Sequence, residues 1–351
     1  MFANPRWHGI AALLFAASTW GAMFIVGKGV LAHVDPFWFT FIRYAIAGVL
    51  FATLLLPRGV APWRNLHAHA ATLALRGAAG FGVFSVMVLT GLAHTEPSHG
   101  AVIMATTPLT TQIVRWALDR VKPSRTTLLT MVLALAGVVT VTGVLSQATF
   151  SWTSTLHGDA LILASTLAWV WYTRGAARFA QLEVVEYTAL TVLAALPLLA
   201  LAAVAATAFD VASAPDAYDL RVTWHAMVFV GVVASGIAIL AFNFGVRTLG
   251  AVTGTAFLNF VPVSALAYGV TLGKPPTAHE LVGAAMVVGA LLIHTMASVG
   301  KVGRLAPGPL QSVIPTAGRN LSRSGGRDPS PPARDDTYAS RLRTANCTQG
   351  R

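Results

Sequence analysis

Residues 77–108 read GAAGFGVFSVMVLTGLAHTEPSHGAVIMATTP, and residues 231–262 read GVVASGIAILAFNFGVRTLGAVTGTAFLNFVP. At this one offset of 154, Gly77 falls on Gly231, Gly82 on Gly236, Gly91 on Gly245, Gly100 on Gly254 and Pro108 on Pro262. Glycine makes up about 7% of average sequence, so four coincidences and a proline are not expected from composition alone. The pair reads as an internal repeat. Gly9, Leu14 and Trp20 recur as Gly158, Leu163 and Trp169 at an offset of 149, which carries the repeat back to the first helix of each half. The five-residue change is taken up in the longer connector before the eighth helix.

Working outward, composition fixes the solvent. Hydrophobic residues make up 55% of the chain and charged residues 11%, where a soluble domain carries about 25% charged. A bilayer-spanning helix needs about 20 apolar residues. Ten segments qualify: 9–30, 37–56, 73–92, 98–117, 126–145, 156–173, 184–206, 223–246, 252–272 and 279–299. Turn-forming residues separate them at Asp35-Pro36, Pro57, Glu96-Pro97, Lys122-Pro123, Asp216 and Pro275-Pro276. Short connectors force neighbours to run antiparallel. The apolar run that ends near Val26 has the look of a signal peptide, but it lacks a small-residue cleavage site before Lys28 and reads as a retained first helix.

The expected fold is therefore an all-α integral membrane protein, ten transmembrane helices in a 5+5 inverted repeat. Residues 1–148 form the first unit, 149–300 the second, and 301–351 a basic tail. An odd number of crossings separates the copies, so they run in opposite directions. Inverted repeats mark secondary transporters, whose site lies where the halves meet near the midplane.

The formal charge of +11 suggests nucleic acid, but nine of the 24 Lys and Arg lie after residue 300. That tail also holds Ser324, Gly325, Gly326, Pro329, Pro331 and Pro332, a composition expected to stay disordered. Lipid headgroups are the expected partner of this charge, and nucleic acid is not. In the short connectors, Arg6, Arg58, Arg64, Arg120, Lys122, Arg125, Arg174, Arg178 and Arg247 fall on one side, and Lys28, Arg221 and Lys274 on the other. The positive-inside rule then puts both termini in the cytoplasm. Cys347, the one cysteine, allows neither an internal disulfide nor a thiolate metal site. No P-loop, Gly-x-Ser-x-Gly elbow, paired buried carboxylates or His-x-x-x-His spacing occurs in the apolar helices. The chain reads as no enzyme, with no cofactor and no metal.

The run Ser18-Thr19-Trp20-Gly21-Ala22-Met23-Phe24-Ile25-Val26-Gly27-Lys28 resembles the first helix of EamA-type transporters in the drug/metabolite transporter superfamily. Asp35-Pro36 through Phe41-Ile42-Arg43 is similar to that family's second-helix entry, and Gly77 to Thr95, Pro108 and Gly231 to Gly289 continue the likeness. It covers residues 9–299. It implies ten helices, with the first, third, fourth, sixth, eighth and ninth around a path and the fifth and tenth outside, and export or exchange of small metabolites or drugs across the inner membrane. One slot departs from the family: its usual Gly-Glu is Asp119-Arg120 in one half and Gly273-Lys274 in the other.

An ionisable group inside a bilayer is costly and so a functional candidate. Arg43, about two turns into the second helix, is suited to a substrate carboxylate or phosphate; snorkelling to the interface is the structural alternative. Arg76 and Arg115 read as anchors that reach headgroups. Lys28 is a gate candidate or an interfacial anchor. Asp159 is the acid to test for proton coupling, against a helix-capping role. Pro108 and Pro262, placed near the middle of the fourth and ninth helices, read as hinges that line the path, against simple packing kinks. Thr106, Thr107 and Asn259 share those turns as ligand hydrogen-bond candidates. Asn243 fits a ligand contact or a bond between helices. Trp20, Trp169 and Tyr172 read as cavity walls or as interfacial anchors. The expected partners are a small-molecule substrate and the lipid bilayer, with proton coupling and monomer versus homodimer left open. The competing reading is a membrane scaffold whose basic tail recruits an anionic partner.

Overall fold

The computed structural model describes residues 5–94, 103–142, 152–271, 273 and 275–303. The Glu96-Pro97 turn, Gly100, His99 and the tail with Cys347 lie outside the described residues, as does the side chain of Lys28.

Every regular element among the described residues is helical. Helix α1 spans Pro5–Leu31 and α2 Pro36–Leu55. Asp35 caps α2 by accepting from the Phe37 amide at 2.8 Å, and Pro36 takes the first position, where a missing N–H costs nothing. Helix α3, Ala61–Gly77, continues through a π-helical stretch, Ala78–Val83, into α4, Phe84–Ala93. It begins a dozen residues before the expected apolar segment and carries His67 and His69. Then come α5 (Thr107–Asp119), α6 (Arg125–Thr142), α7 (Trp152–Arg178) and α8 (Val184–Ala208). Helix α9, Ala217–Val228, opens on a capping box between Asp216 and Asp219. It runs through a second π stretch, Phe229–Ile237, into α10, Ala238–Leu249. The chain closes with α11 (Ala251–Ala256), a 3-10 turn (Phe257–Asn259), α12 (Phe260–Thr271) and α13 (Ala278–Gly303).

Seven helices among the described residues are long and apolar enough to cross a membrane. They are Arg6–Leu31, Pro36–Arg58, Ala61–Gly91, Val184–Ala208, Ala217–Leu249, Ala251–Thr271 and Ala278–Ala297; Arg125–Val141 is a shorter apolar helix. The surface they present is greasy. Leu129 on α6, Leu201 on α8 and Met296 on α13 are exposed by 70%, 63% and 72%. Apolar area on that scale suits acyl chains and not water.

Residues matched by the repeat offsets make matching contacts. A Cβ on Gly91 would lie 2.6 Å from Ile162 Cγ1 and 2.9 Å from Gly158 O; on Gly245 it would lie 2.7 Å from Leu13 Cδ2 and 3.0 Å from Gly9 O. Gly82 faces Leu199 and Gly236 faces Leu50, at 2.8 and 2.7 Å. Only glycine lets the backbones approach this closely. The pairing of whole helices follows: α1 lies along α10 as α7 lies along α4, while α2 with α8 and α6 with α13 pair with each other.

The two prolines do not sit at mid-helix. Pro108 is the second residue of α5, after a turn at Ala105 and Thr106, and Pro262 is the third residue of α12, after the 3-10 turn. Each stands in the first turn of a restarted helix, where proline's fixed φ fits and no donor is lost.

Candidate functional site

The largest fully buried side chains, Tyr172 and Tyr187 among them, gather with Trp169, Phe81 and Phe242 in one core cluster. Trp20 of α1 and Trp169 of α7, matched by the 149 offset, meet edge to face with centroids 5.7 Å apart. Phe242 of α10 lies 5.3 Å from each, and Phe84 of α4 lies 4.9 Å from Trp169. The Trp20 indole donates to Ala234 O at 3.0 Å, inside the second π stretch. Trp169 Nε1 is buried without a partner. An edge-to-face aromatic pair contributes about 0.5–1.5 kcal/mol beyond its buried area.

Arg43 of α2 lies on one flank of the aromatic group and is only 4% exposed. One of its NH2 hydrogens goes to Ser85 Oγ at 2.6 Å; Tyr44 Oη and Met23 Sδ stand at 3.4 and 3.5 Å. The guanidinium lies 4.6 Å from the Tyr44 ring centroid, a cation–π contact. Nε has no partner, and none of the ion pairs among the described residues involves Arg43. A desolvated cation held by one short hydrogen bond, two long ones and a ring keeps capacity for an anion. From Tyr44 a run of rings through Phe81 to Tyr172, at 4.8 and 4.7 Å, leads to the other flank.

That flank is built on an amide and hydroxyls. Asn243 Nδ2 donates to Tyr172 Oη at 2.6 Å and to Thr188 Oγ1 at 2.9 Å, and Tyr187 Oη donates to Tyr172 O at 3.1 Å. Asn243 Oδ1 is buried without a partner. A buried polar atom left unpaired costs about 1–3 kcal/mol, so Arg43 Nε, Trp169 Nε1 and Asn243 Oδ1 mark unmet bonding in one cluster. Trp20, Arg43, Trp169, Tyr172 and Asn243 are thus brought together.

The other candidates are placed differently. Thr106 and Thr107 turn their hydroxyls back to Ile103 O and Met104 O, the carbonyls of the turn before Pro108, at 2.6 and 2.5 Å. Asn259 lines a separate small cavity with Thr130 of α6 and His294 of α13. Asp159 is deeper than one helical turn, because α7 begins at Trp152, and it is buried at 8% exposure. Arg76 is not a headgroup anchor: it is 3% exposed, lies 3.9 Å over the Trp171 ring and donates to Trp171 O. Arg115 is exposed, as an anchor requires.

Sequence reasoning missed Ser85, Tyr44, Thr188, Thr130 and His294. His294 had a signal, an ionisable residue inside an apolar run, while the hydroxyls carried none. A cavity of about 350 Å³ elsewhere is an apolar groove, lined by Phe37, Thr40, Gly82, Val86, Leu199 and Ala202 among others.

Polar straps tie helices that are distant in sequence. Arg58 meets Glu183 at 2.7 Å, Asn65 donates to Glu186 at 2.7 Å, and both Asp119 oxygens accept from Arg174 at 2.6 and 2.7 Å. The hydrogen bonds from Arg174 hold the Asp119 carboxyl below the usual carboxylate range. Asp119 occupies the slot that departs from the family pattern, and it acts as a brace there.

The sequence pattern of the EamA-like transporter family matches two stretches, residues 7–143 and 156–296. The chain is similar to the uncharacterized transporter YrdR of Bacillus subtilis (strain 168), 28% identical over 293 residues, covering 82% of this chain and 91% of that one. An uncharacterized transporter of Archaeoglobus fulgidus is 23% identical over 277 residues, 79% and 94% of the two chains. A protein of known crystal structure shares the fold with a TM-score of 0.66 at 21% identity, over 85% of this chain and 98% of the other.

Proposed function

We propose that this chain, which belongs to the EamA-like transporter family and so to the drug/metabolite transporter superfamily, is a secondary transporter that exports or exchanges a small metabolite. It works by alternating access between two inverted five-helix halves, residues 1–148 and 149–300, in a cell's inner membrane with both termini cytoplasmic. The matching contacts of Gly91 and Gly245, and the symmetric pairing of helices, support two equivalent units. The match of one family pattern to two stretches supports them as well.

One observation carries the reading: equivalent tryptophans from the two halves touch in the core, between a buried cation on one side and an amide on the other. Rocking the halves separates Trp20 from Trp169. Arg43 then meets a carboxylate or phosphate, the rings bury an apolar body, and Asn243 with the Trp169 indole takes up remaining polar groups. An amino-acid-like compound or an amphiphilic drug fits such a set. Pro108 and Pro262 stand at helix restarts, where the backbone bends most readily.

The test is counterflow in proteoliposomes against a metabolite panel, with and without a proton gradient, for the wild type, Arg43→Ala and Asp159→Asn. At least one anionic or zwitterionic compound is expected to move, and to stop moving in Arg43→Ala. Transport of that compound by Arg43→Ala at the wild-type rate overturns the path.

A further inference from the structure

Away from the aromatic passage, α6, α13 and the 3-10 turn before α12 enclose a second polar site. His294 is 5% exposed in the apolar helix α13, Thr130 of α6 is 3% exposed, and Asn259 of the turn is 1% exposed. His294 Nδ1 lies 3.1 Å from Thr130 Oγ1. That hydroxyl also stands 3.0 Å from both Thr126 O and Thr127 O. A hydroxyl has one proton to give. The carbonyls can only accept, so the Thr130 proton goes to one of them and its oxygen accepts from His294 Nδ1–H. With the hydroxyl proton given to a carbonyl of its own helix, the imidazole is the Nδ1–H tautomer and Nε2 is the basic nitrogen. On the same cavity, Asn259 Oδ1 is buried with no hydrogen-bond partner. The cavity measures about 10 Å³, close to the room that one water molecule needs on the same measure, about 10–15 Å³.

We propose that this cavity is a proton-binding site separate from the aromatic passage: His294 takes a proton at Nε2, and Asn259 Oδ1 accepts from the imidazolium through one water. The balance is simple, one proton in and one positive charge gained, with no bond to carbon formed or broken. The other lining residues, Met131, Ala134, Ala256, Ala290 and Leu291, do not titrate. Among the described residues, exposed Arg125 opens α6, exposed Tyr268 lies in the last third of α12, and His279 and Glu280 sit in the first turn of α13. A charge in this interior is costly unless it is met by an acceptor, which is what Asn259 supplies.

The site sits where it can act on movement. Asn259 ends the 3-10 turn that precedes Pro262, so the oxygen that accepts the water-bridged hydrogen bond from the imidazolium belongs to the break between α11 and α12. Protonation pulls this turn toward α13 and biases the bend. This coupling role rests on the alternating-access reading; proton binding itself does not.

The test is selective ¹⁵N-histidine NMR of the full-length protein in detergent. One imidazole signal is expected to be Nδ1-protonated at high pH and to titrate reversibly between about pH 5 and 8. It is expected to vanish in His294→Gln and to shift its midpoint to lower pH in Asn259→Leu. An Nε2–H tautomer in the wild type, or no titration between about pH 4 and 9, overturns the proposal without any variant. An unchanged midpoint in Asn259→Leu also overturns it. A second arm measures flux of a panel compound in liposomes: His294→Gln should lose stimulation by a proton gradient and keep gradient-free exchange. If gradient stimulation survives, the coupling role falls. If the wild type moves nothing, the transporter reading falls, and the NMR still decides the proton site.

Discussion

Replacing Arg43 by Met separates a binding residue from a brace, because the two roles predict opposite stability changes. Met fills a similar volume and removes the charge. The loss is the hydrogen bond to Ser85 at 2.6 Å, about 1.5–3 kcal/mol for a charged donor. A ring contact over Tyr44 at 4.6 Å adds about 0.5–2 kcal/mol. The gain is relief from burying a cation at 4% exposure with no ion-pair partner among the described residues. Even after relaxation that penalty is several kcal/mol, and an apolar replacement of similar volume is often neutral or stabilising. The terms cancel or favour Met. A kcal/mol moves the melting midpoint by about 2–4 °C in chains of 150–250 residues. The Arg43→Met protein is therefore expected to melt within about 4 °C of the wild type, or above it, while counterflow of the anionic substrate is lost. Intrinsic fluorescence melting in detergent and proteoliposome counterflow read the two effects on one preparation. A drop of more than about 8 °C, with transport falling alongside, would show that Arg43 holds the fold and that the clamp reasoning is wrong.

Gly91→Val and Gly245→Val should destabilise to similar degrees, each by about 1–3 kcal/mol. Their added carbons meet Ile162 and Gly158 O in one case and Leu13 and Gly9 O in the other. Thermal melts of the pair test this, and a tolerated substitution at either site refutes the equivalence of the two contacts. The Asp119 strap should depend on acid. Its carboxyl is held low by Arg174, so its contribution is present above the unfolded value of about 3.9 and is lost as pH falls through the lower folded value. Melting followed from pH 7 to about pH 3 should show that loss in the wild type and not in Asp119→Asn; identical acid profiles would discard the brace.

Some of this was open to inspection in the residues. Apolar runs near 20 residues, with most charge in the connectors and tail, require helices in a bilayer, because no other open backbone arrangement satisfies its own hydrogen bonds there. The glycines at 77, 82, 91, 231, 236 and 245 stood out for the same reason that they pack closely: a bare Cα is needed wherever two backbones approach. The aromatic candidates Trp20, Trp169 and Tyr172, with Asn243 and Arg43, came together as one group.

Tertiary structure decided the rest. A helix that is apolar all round carries no stripe to say which face is buried, so nothing local told that Arg76 would fold over Trp171 and not reach the headgroups. The prolines were visible, but whether they kink a helix or start one depended on how the preceding turn was satisfied, here by Thr106, Thr107 and a 3-10 turn. Asn259 looked like a neighbour of the path and instead faces Thr130 and His294. Those two residues lie 164 positions apart in the chain. The sequence by itself determined what can live in the membrane and where backbones can touch. Which polar groups meet was settled only by the packing of helices, since burial makes an unpaired polar group costly while sequence distance costs it nothing.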